Sequence, residues 1–229
     1  MGTVARIHTT TDIRPMTTPI DPGLLTLTQW LSPSFPTGSF AFSHGIETAV
    51  SEGWIRDAGS LQAWLEDCLT EGSAHSDAIW LRLAYDAVDP LEVDAAARTY
   101  AVSRERLREA ERQGAAFTAA VNAVWDFDLP DMLMPVAVGA ASARAGLDQD
   151  ATLGLFLHAF VANLVSAAMR LAPIGQTSGQ AIILHLQDLC LEIVERTRGK
   201  TEEDLYSNAF LSDIAAMRHE TLQPRLFQS

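Results

Sequence analysis

Apolar residues recur at three- and four-residue intervals in one segment of this chain after another, a spacing that commits it to helices. Leu61, Trp64, Leu65, Cys68 and Leu69 form one series, and Leu153, Phe156, Leu157, Phe160 and Leu164 a second. Ile182, Leu186, Leu189 and Ile193 form a third, with Ile183, Cys190 and Val194 beside them. No segment sustains two-residue alternation between hairpin turns, and no repeat returns at a fixed period. The 229 residues, 48% of them hydrophobic, are enough for one sizeable core. The expectation is an all-α, single-domain helical bundle of roughly eight to ten helices spanning 20–229. Residues 1–19 read as a disordered leader.

Start and stop signals divide the chain accordingly. A short helix over Leu24–Leu31 ends at Ser32-Pro33, because the residue before a proline is driven out of the α region. Ser43 or His44 opens the next, which runs to Glu52 with Gly53 as its stop. Asp57 stands before the first apolar series, which closes at Glu71-Gly72, and another helix runs from about Ala74 to Val88. Asp89-Pro90 is an N-terminal signal with proline at the first helical position. Ser103 is a partial cap for a helix to Trp125, since Arg106 stands where a capping box needs Glu or Gln. Asp126, Asp128 and Asp131 around Pro130 lack the glycine and glutamate of a calcium loop and read as caps. Met132–Ala145 is small and apolar, suited to close packing, and Asp148 or Asp150 caps the helix that follows. Pro173 breaks that helix, and the next runs from Thr177 or Ser178 to Arg198.

One stretch resists helix. Residues 32–47, Ser-Pro-Ser-Phe-Pro-Thr-Gly-Ser-Phe-Ala-Phe-Ser-His-Gly-Ile-Glu, combine two prolines that fix φ with two glycines that accept conformations closed to β-branched residues. Such a loop has one shape. Phe35, Phe40 and Phe42 are costly to leave in water, so the loop either folds onto the body or forms part of a binding face.

Charge and cysteine usage exclude several classes. The formal net charge of −13 repels phosphate backbones and anionic membranes, which argues against nucleic acid and membrane partners. Ala151–Met169 lacks formal charge and is just long enough to span a bilayer, but His158, Asn163 and Ser166 interrupt it, and a buried central helix is the better reading. No apolar run near Arg6 and Arg14 suits a signal peptide. Cys68 and Cys190 stand apart among apolar neighbours, which fits a reducing cytoplasm.

Chemistry is sparse. The six histidines include no HxxxH or HExxH pair, and no CxxC is present, so no metal site is legible. His44 and His219 are the two in unusual segments. Lys200, the only lysine, follows Gly199 at an apparent helix end, a capping position. Gly175-Gln-Thr-Ser-Gly-Gln180 lacks the lysine of a phosphate loop and reads as a loop-to-helix junction, with Gln176 and Gln180 free to bond a neighbour's backbone. Ser39 and Ser43 have no nucleophile-elbow context. Nothing nominates catalytic residues or a cofactor.

Two surfaces remain. Arg104, Arg108 and Arg112 lie at i, i+4, i+8, and Glu105–Arg108 and Glu109–Arg112 at i, i+3, a pattern that favours a solvated, internally paired face over a docking stripe. The closing residues 217–229 carry Leu222, Leu226 and Phe227 with Arg218 and Arg225, a composition that needs a surface to bury it, whether the chain's own body or another protein.

Taken in order, the 32–47 loop, Gly53-Trp-Ile-Arg-Asp57, Trp64-Leu65, Arg108-Glu-Ala110 with Gln113-Gly114, and Pro135-Val136 with Gly139 resemble the UreF family of urease accessory proteins. So do Arg170-Leu-Ala-Pro-Ile-Gly-Gln176 with Gly179-Gln180, Asp213–Glu220, and the ending Arg225-Leu-Phe-Gln-Ser229. The resemblance covers Leu24 to Ser229. It implies a nickel-insertion chaperone, all-helical and commonly a homodimer. Such a protein binds UreD (also called UreH) and recruits the GTPase UreG, so that nickel reaches the urease apoprotein. It implies a UreD contact at Arg218, His219, Glu220, Arg225, Leu226 and Phe227. Phe35, Phe40, Ser43, His44 and Glu47 of the loop, with Gln176 and Gln180, complete the implied partner-binding set. Met134 stands where family members often carry a histidine, so no role transfers from that position. The alternative is a regulator that activates UreG's GTP hydrolysis through an arginine or glutamine, the arginine stabilising the transferred phosphate.

Overall fold

Asp21 accepts a hydrogen bond from Gly23 N at 2.9 Å and opens α1, Pro22–Trp30. The computed structural model describes residues 21–229, so the leader expected at 1–19 lies outside the described residues. The helices that follow are α2 (Ile46–Ser51), α3 (Ala58–Thr70), α4 (Ser73–Asp86), α5 (Pro90–Thr99), α6 (Arg104–Trp125) and α7 (Met134–Arg144). Then come α8 (Gln149–Leu171), α9 (Gln176–His185), α10 (Gln187–Arg196) and α11 (Phe210–His219), with short 3-10 turns at Ser39–Ala41 and Glu202–Asp204. Among the described residues every regular element is helical. The helix expected over 177–198 is bent at Leu186 into α9 and α10.

Local chemistry explains most boundaries. Asp57 and Ser60 form a reciprocal capping box at α3, and Asp89 accepts from Leu91 N just after Pro90 at α5. Ser103 makes its single bond to Arg106 N, 3.2 Å. Asp148, not Asp150, caps α8, accepting from Ala151 N at 2.7 Å. Asp126 closes α6 in the left-handed conformation. Lys200 departs from expectation: its Nζ bonds Asp204 in the adjacent 3-10 turn, 2.7 Å away, rather than a helix end.

The centre is α8, a core helix packed by α1, α2, α3, α4, α7, α9 and α10. Its length and hydropathy would suit a membrane span, but Leu153, Leu157, Val161, Leu164 and Val165 are spent on the core. α7 lies in close contact with α4 and α6 because two glycines admit backbone. A methyl group on Gly139 would sit 2.2 Å from Leu81 O, and one on Gly114 1.9 Å from Met132 O. Arg82, buried on α4, ties α8 and α10 together by bonding Thr197, Gln149, Asp150 and the Val194 carbonyl. Cys68 and Cys190 are both buried and free, and burial pushes each thiol up to about 11.

Candidate functional site

The 32–47 loop sends its three phenylalanines to three destinations. Phe35 turns inward, its ring 5.6 Å from Phe117 and 6.5 Å from Trp125, within an aromatic cluster around Trp30. Phe42 is also buried. Phe40, 61% exposed, stays at the surface, where the Arg170 guanidinium lies 3.7 Å from its ring centroid and donates to its carbonyl. The loop is thus a core plug at Phe35 and surface at Phe40.

The second half of the loop departs from helix where helix was expected. His44 and Gly45 both take left-handed angles, φ 56° and 81°, so α2 starts only at Ile46. The turn is sealed from above by α11: a methyl on Gly45 would meet Ala216 N at 3.0 Å and the Ala215 methyl at 3.2 Å. His44, a non-glycine residue in a conformation that costs energy, is held there by burial, a 2.6 Å bond to Ser73 Oγ and an edge-on contact with Phe160.

Against this turn the C-terminal tail docks. Glu47 on α2 accepts hydrogen bonds from Leu226 N at 2.6 Å and Phe227 N at 2.9 Å, and faces His219 Nε2 at 3.2 Å. The other ring nitrogen of His219 meets Glu105 at 2.6 Å, and Arg225 reaches the same carboxylate at 2.5 Å. His219 has no exposed surface. Farther on, Ser43 donates from its N–H and hydroxyl to the Ser229 carbonyl, while Ser229 Oγ bonds Glu109. Phe227 is 5% exposed and lies 4.3 Å from the Arg170 guanidinium, which sits between it and Phe40.

Beneath the loop lies a cavity of about 520 Å³ with apolar walls that include Trp30, Phe156 and Leu164 and a polar end at His44, Asp77, Arg106 and Glu109. Burial, and then the Arg106 charge, lower the His44 pKa and favour its neutral form. Burial works against ionising Glu109, but Arg106 at 2.5 Å, His44 and the Ser229 hydroxyl together outweigh it and hold the carboxyl far below the usual range. Asp77 has no hydrogen-bond partner among the described residues, and burial pushes it up to about 6. Among the described residues no cluster of three or more His, Cys, Asp or Glu is placed to hold a metal ion.

The residues expected to bind partners therefore divide. Phe35, Ser43, His44, Glu47, His219 and Phe227 are buried in the chain's own body, Phe35 in the aromatic cluster around Trp30 and the others at or beside the junction that docks the tail. Phe40, Arg218, Glu220, Arg225 and Leu226 are exposed around that junction, Leu226 at 80%. Gln176 and Gln180 are exposed on α9, and no hydrogen bond joins them to the tail. Sequence reasoning missed Glu105, Arg106, Glu109 and Arg170 because their partners lie more than a hundred residues away or were hidden by nearer candidates. The expected Glu105–Arg108 and Glu109–Arg112 pairs do not form: both glutamates turn inward to His219, Arg225, Arg106 and Ser229. The signal available in sequence was their own i, i+4 spacing, which places both on one face of α6.

Comparison with known proteins meets this architecture. A family model described as UreF matches residues 55–187. The chain is 48% identical over 207 residues to urease accessory protein UreF of Roseobacter denitrificans, covering 90% of this chain and 93% of that one. It is 50% identical over 206 residues to UreF of Cereibacter sphaeroides, covering 90% and 98%, and 43% identical over 217 residues to UreF of Ruegeria pomeroyi, covering 93% and 100%. An all-helical body with a shaped loop, in a chain this similar to those relatives along nine-tenths of its length, has one family reading: it belongs to the UreF family of non-catalytic urease accessory proteins.

Proposed function

We propose that this chain serves urease maturation as a cytoplasmic scaffold that binds UreD (UreH) through its docked C-terminal region and recruits UreG to the resulting complex. In this reading it acts as a homodimer, and the assembly delivers nickel to the urease apoprotein. The observation that carries the proposal is the two-faced character of α11. Ser212, Ala215, Ala216 and His219 are buried, while Phe210, Leu211, Ile214 and Met217 point to solvent. Four large apolar side chains on one exposed helical face, continued by Leu226, have the composition of a docking surface rather than of a solvated one.

Replacing Phe210 and Met217 by serine leaves the buried side of α11 untouched. The double variant is expected to keep the helical circular-dichroism spectrum and to lose co-elution with UreD in size-exclusion chromatography. Undiminished co-elution would move the contact elsewhere. The wild-type chain mixed with UreD and UreG is expected to elute as a ternary complex, and failure to form one counts against the scaffold reading.

A further inference from the structure

The inward turn of Glu105 and Glu109 leaves the outer edge of α6 in an unusual state. Arg108 and Arg112 are exposed and make no carboxylate contact among the described residues. Arg112 instead donates to the side-chain carbonyl of Gln228 in the tail. One turn before Arg108, Arg104 is 94% exposed and only 4.0 Å from Glu220, the residue that ends α11. The stripe is therefore pinned at both ends to the C-terminal region and spans about 12 Å beside it. Arg170, stacked between Phe40 and Phe227, extends it across the tail and likewise has no carboxylate partner among the described residues. In a chain of net charge −13, a run of uncompensated arginines is out of keeping with the rest of the molecule.

We infer that Arg108, Arg112 and Arg170, with Phe40 and Leu226 as apolar anchors, form a docking strip for an acidic surface of the protein partner that receives the tail. The inference rests on the UreD reading and adds the chemistry of the surface that UreD must offer. Charge complementarity supports an acidic occupant, and adjacency to the tail supports the same partner rather than a separate one. Phe40 and Leu226, both exposed, favour a protein over a phosphate polymer, since arginine flanked by apolar anchors is interface composition.

The test uses the full chain and purified UreD, with affinity measured between about 50 and about 300 mM salt. Arg108→Glu with Arg112→Glu is expected to weaken binding about tenfold or more and to flatten its salt dependence, while lysine at both positions retains most of it. Phe210→Ser with Met217→Ser reports on the α11 contact independently. If that variant loses UreD but the charge reversal changes neither affinity nor salt slope, the strip is overturned and the tail reading stands. If neither variant changes binding, both fall. Salt-sensitive binding of a mixed-sequence RNA that the charge reversal abolishes, with UreD affinity unchanged, overturns the protein occupant in favour of a phosphate backbone.

Discussion

Glu47 carries one carboxylate and meets three groups that need it: two backbone N–H groups of the tail and a buried imidazole. Glutamine there keeps one acceptor but turns an amide donor toward another donor. Breaking such a buried set costs about 1–3 kcal/mol. Glu47→Gln is therefore expected to speed hydrogen exchange across 221–229 at least several-fold while 61–69 in α3 stays protected. Equal protection in both segments would mean that Phe227 packing alone holds the tail. Asp77 is the opposite case, a carboxyl whose burial outweighs the attraction of the Arg106 charge. Its pKa is raised from 3.8 to about 6, so the folded state binds the proton more tightly than the unfolded one, and stability falls as pH rises through that window. Asp77→Asn should raise the unfolding midpoint at pH 7 and leave it nearly unchanged below about pH 4. A gain of equal size at both pH values would point to packing instead.

At the scale of elements, two contacts govern the assembly. α7 packs against α4 across Gly139, and the 2.2 Å approach of a Cβ there to Leu81 O leaves backbone, not a flexible side chain, to give way. Gly139→Ala is expected to cost about 1–3 kcal/mol or more, read as a lowered denaturation midpoint, and an unchanged midpoint would show that α7 slides freely. The tail is the other. Deleting 221–229 removes buried Phe227 and takes hydrogen-bond donors from Glu47, Glu105 and Glu109, so the truncated chain should keep its far-UV helical signal but melt several degrees lower. A coincident melt would show that the tail adds nothing to the fold. Elements with their own punctuation were legible in sequence: Asp57, Asp89-Pro90 and Pro173 each mark a real boundary. α11 was not recognised as a helix, because its largest apolar residues face solvent and its buried face is built from Ser212, Ala215 and Ala216, too small to register as a core stripe. The start of α2 was misplaced because nothing local reports that His44 is left-handed; α11 packing on Gly45 supports that turn.

For the molecule as a whole, mild acid should loosen the loop–tail junction. His44 has a folded pKa below 6.5, so the unfolded state takes up its proton first and stability is lost as pH falls below 6.5. Glu109, depressed below 4.5, adds a further loss as pH falls through the usual carboxylate range, while Asp77 works the other way. Urea midpoints at pH 7 and 5.5 should differ by less in His44→Asn, which tolerates the left-handed angle and does not titrate, than in the parent chain. An identical pH dependence would assign the effect to other groups. Helical class, most helix ends and the family were already decided by the sequence, because each depends on neighbours within about four residues or on motif order. The tertiary structure alone decided which phenylalanine of the loop is plug and which is surface, where Glu105 and Glu109 spend their charge, and that the tail closes on Glu47. The contacts of Glu105, Glu109 and Glu47 with the C-terminal region join residues 114 to 180 positions apart, and chain collapse, not local spacing, brings them within hydrogen-bond distance.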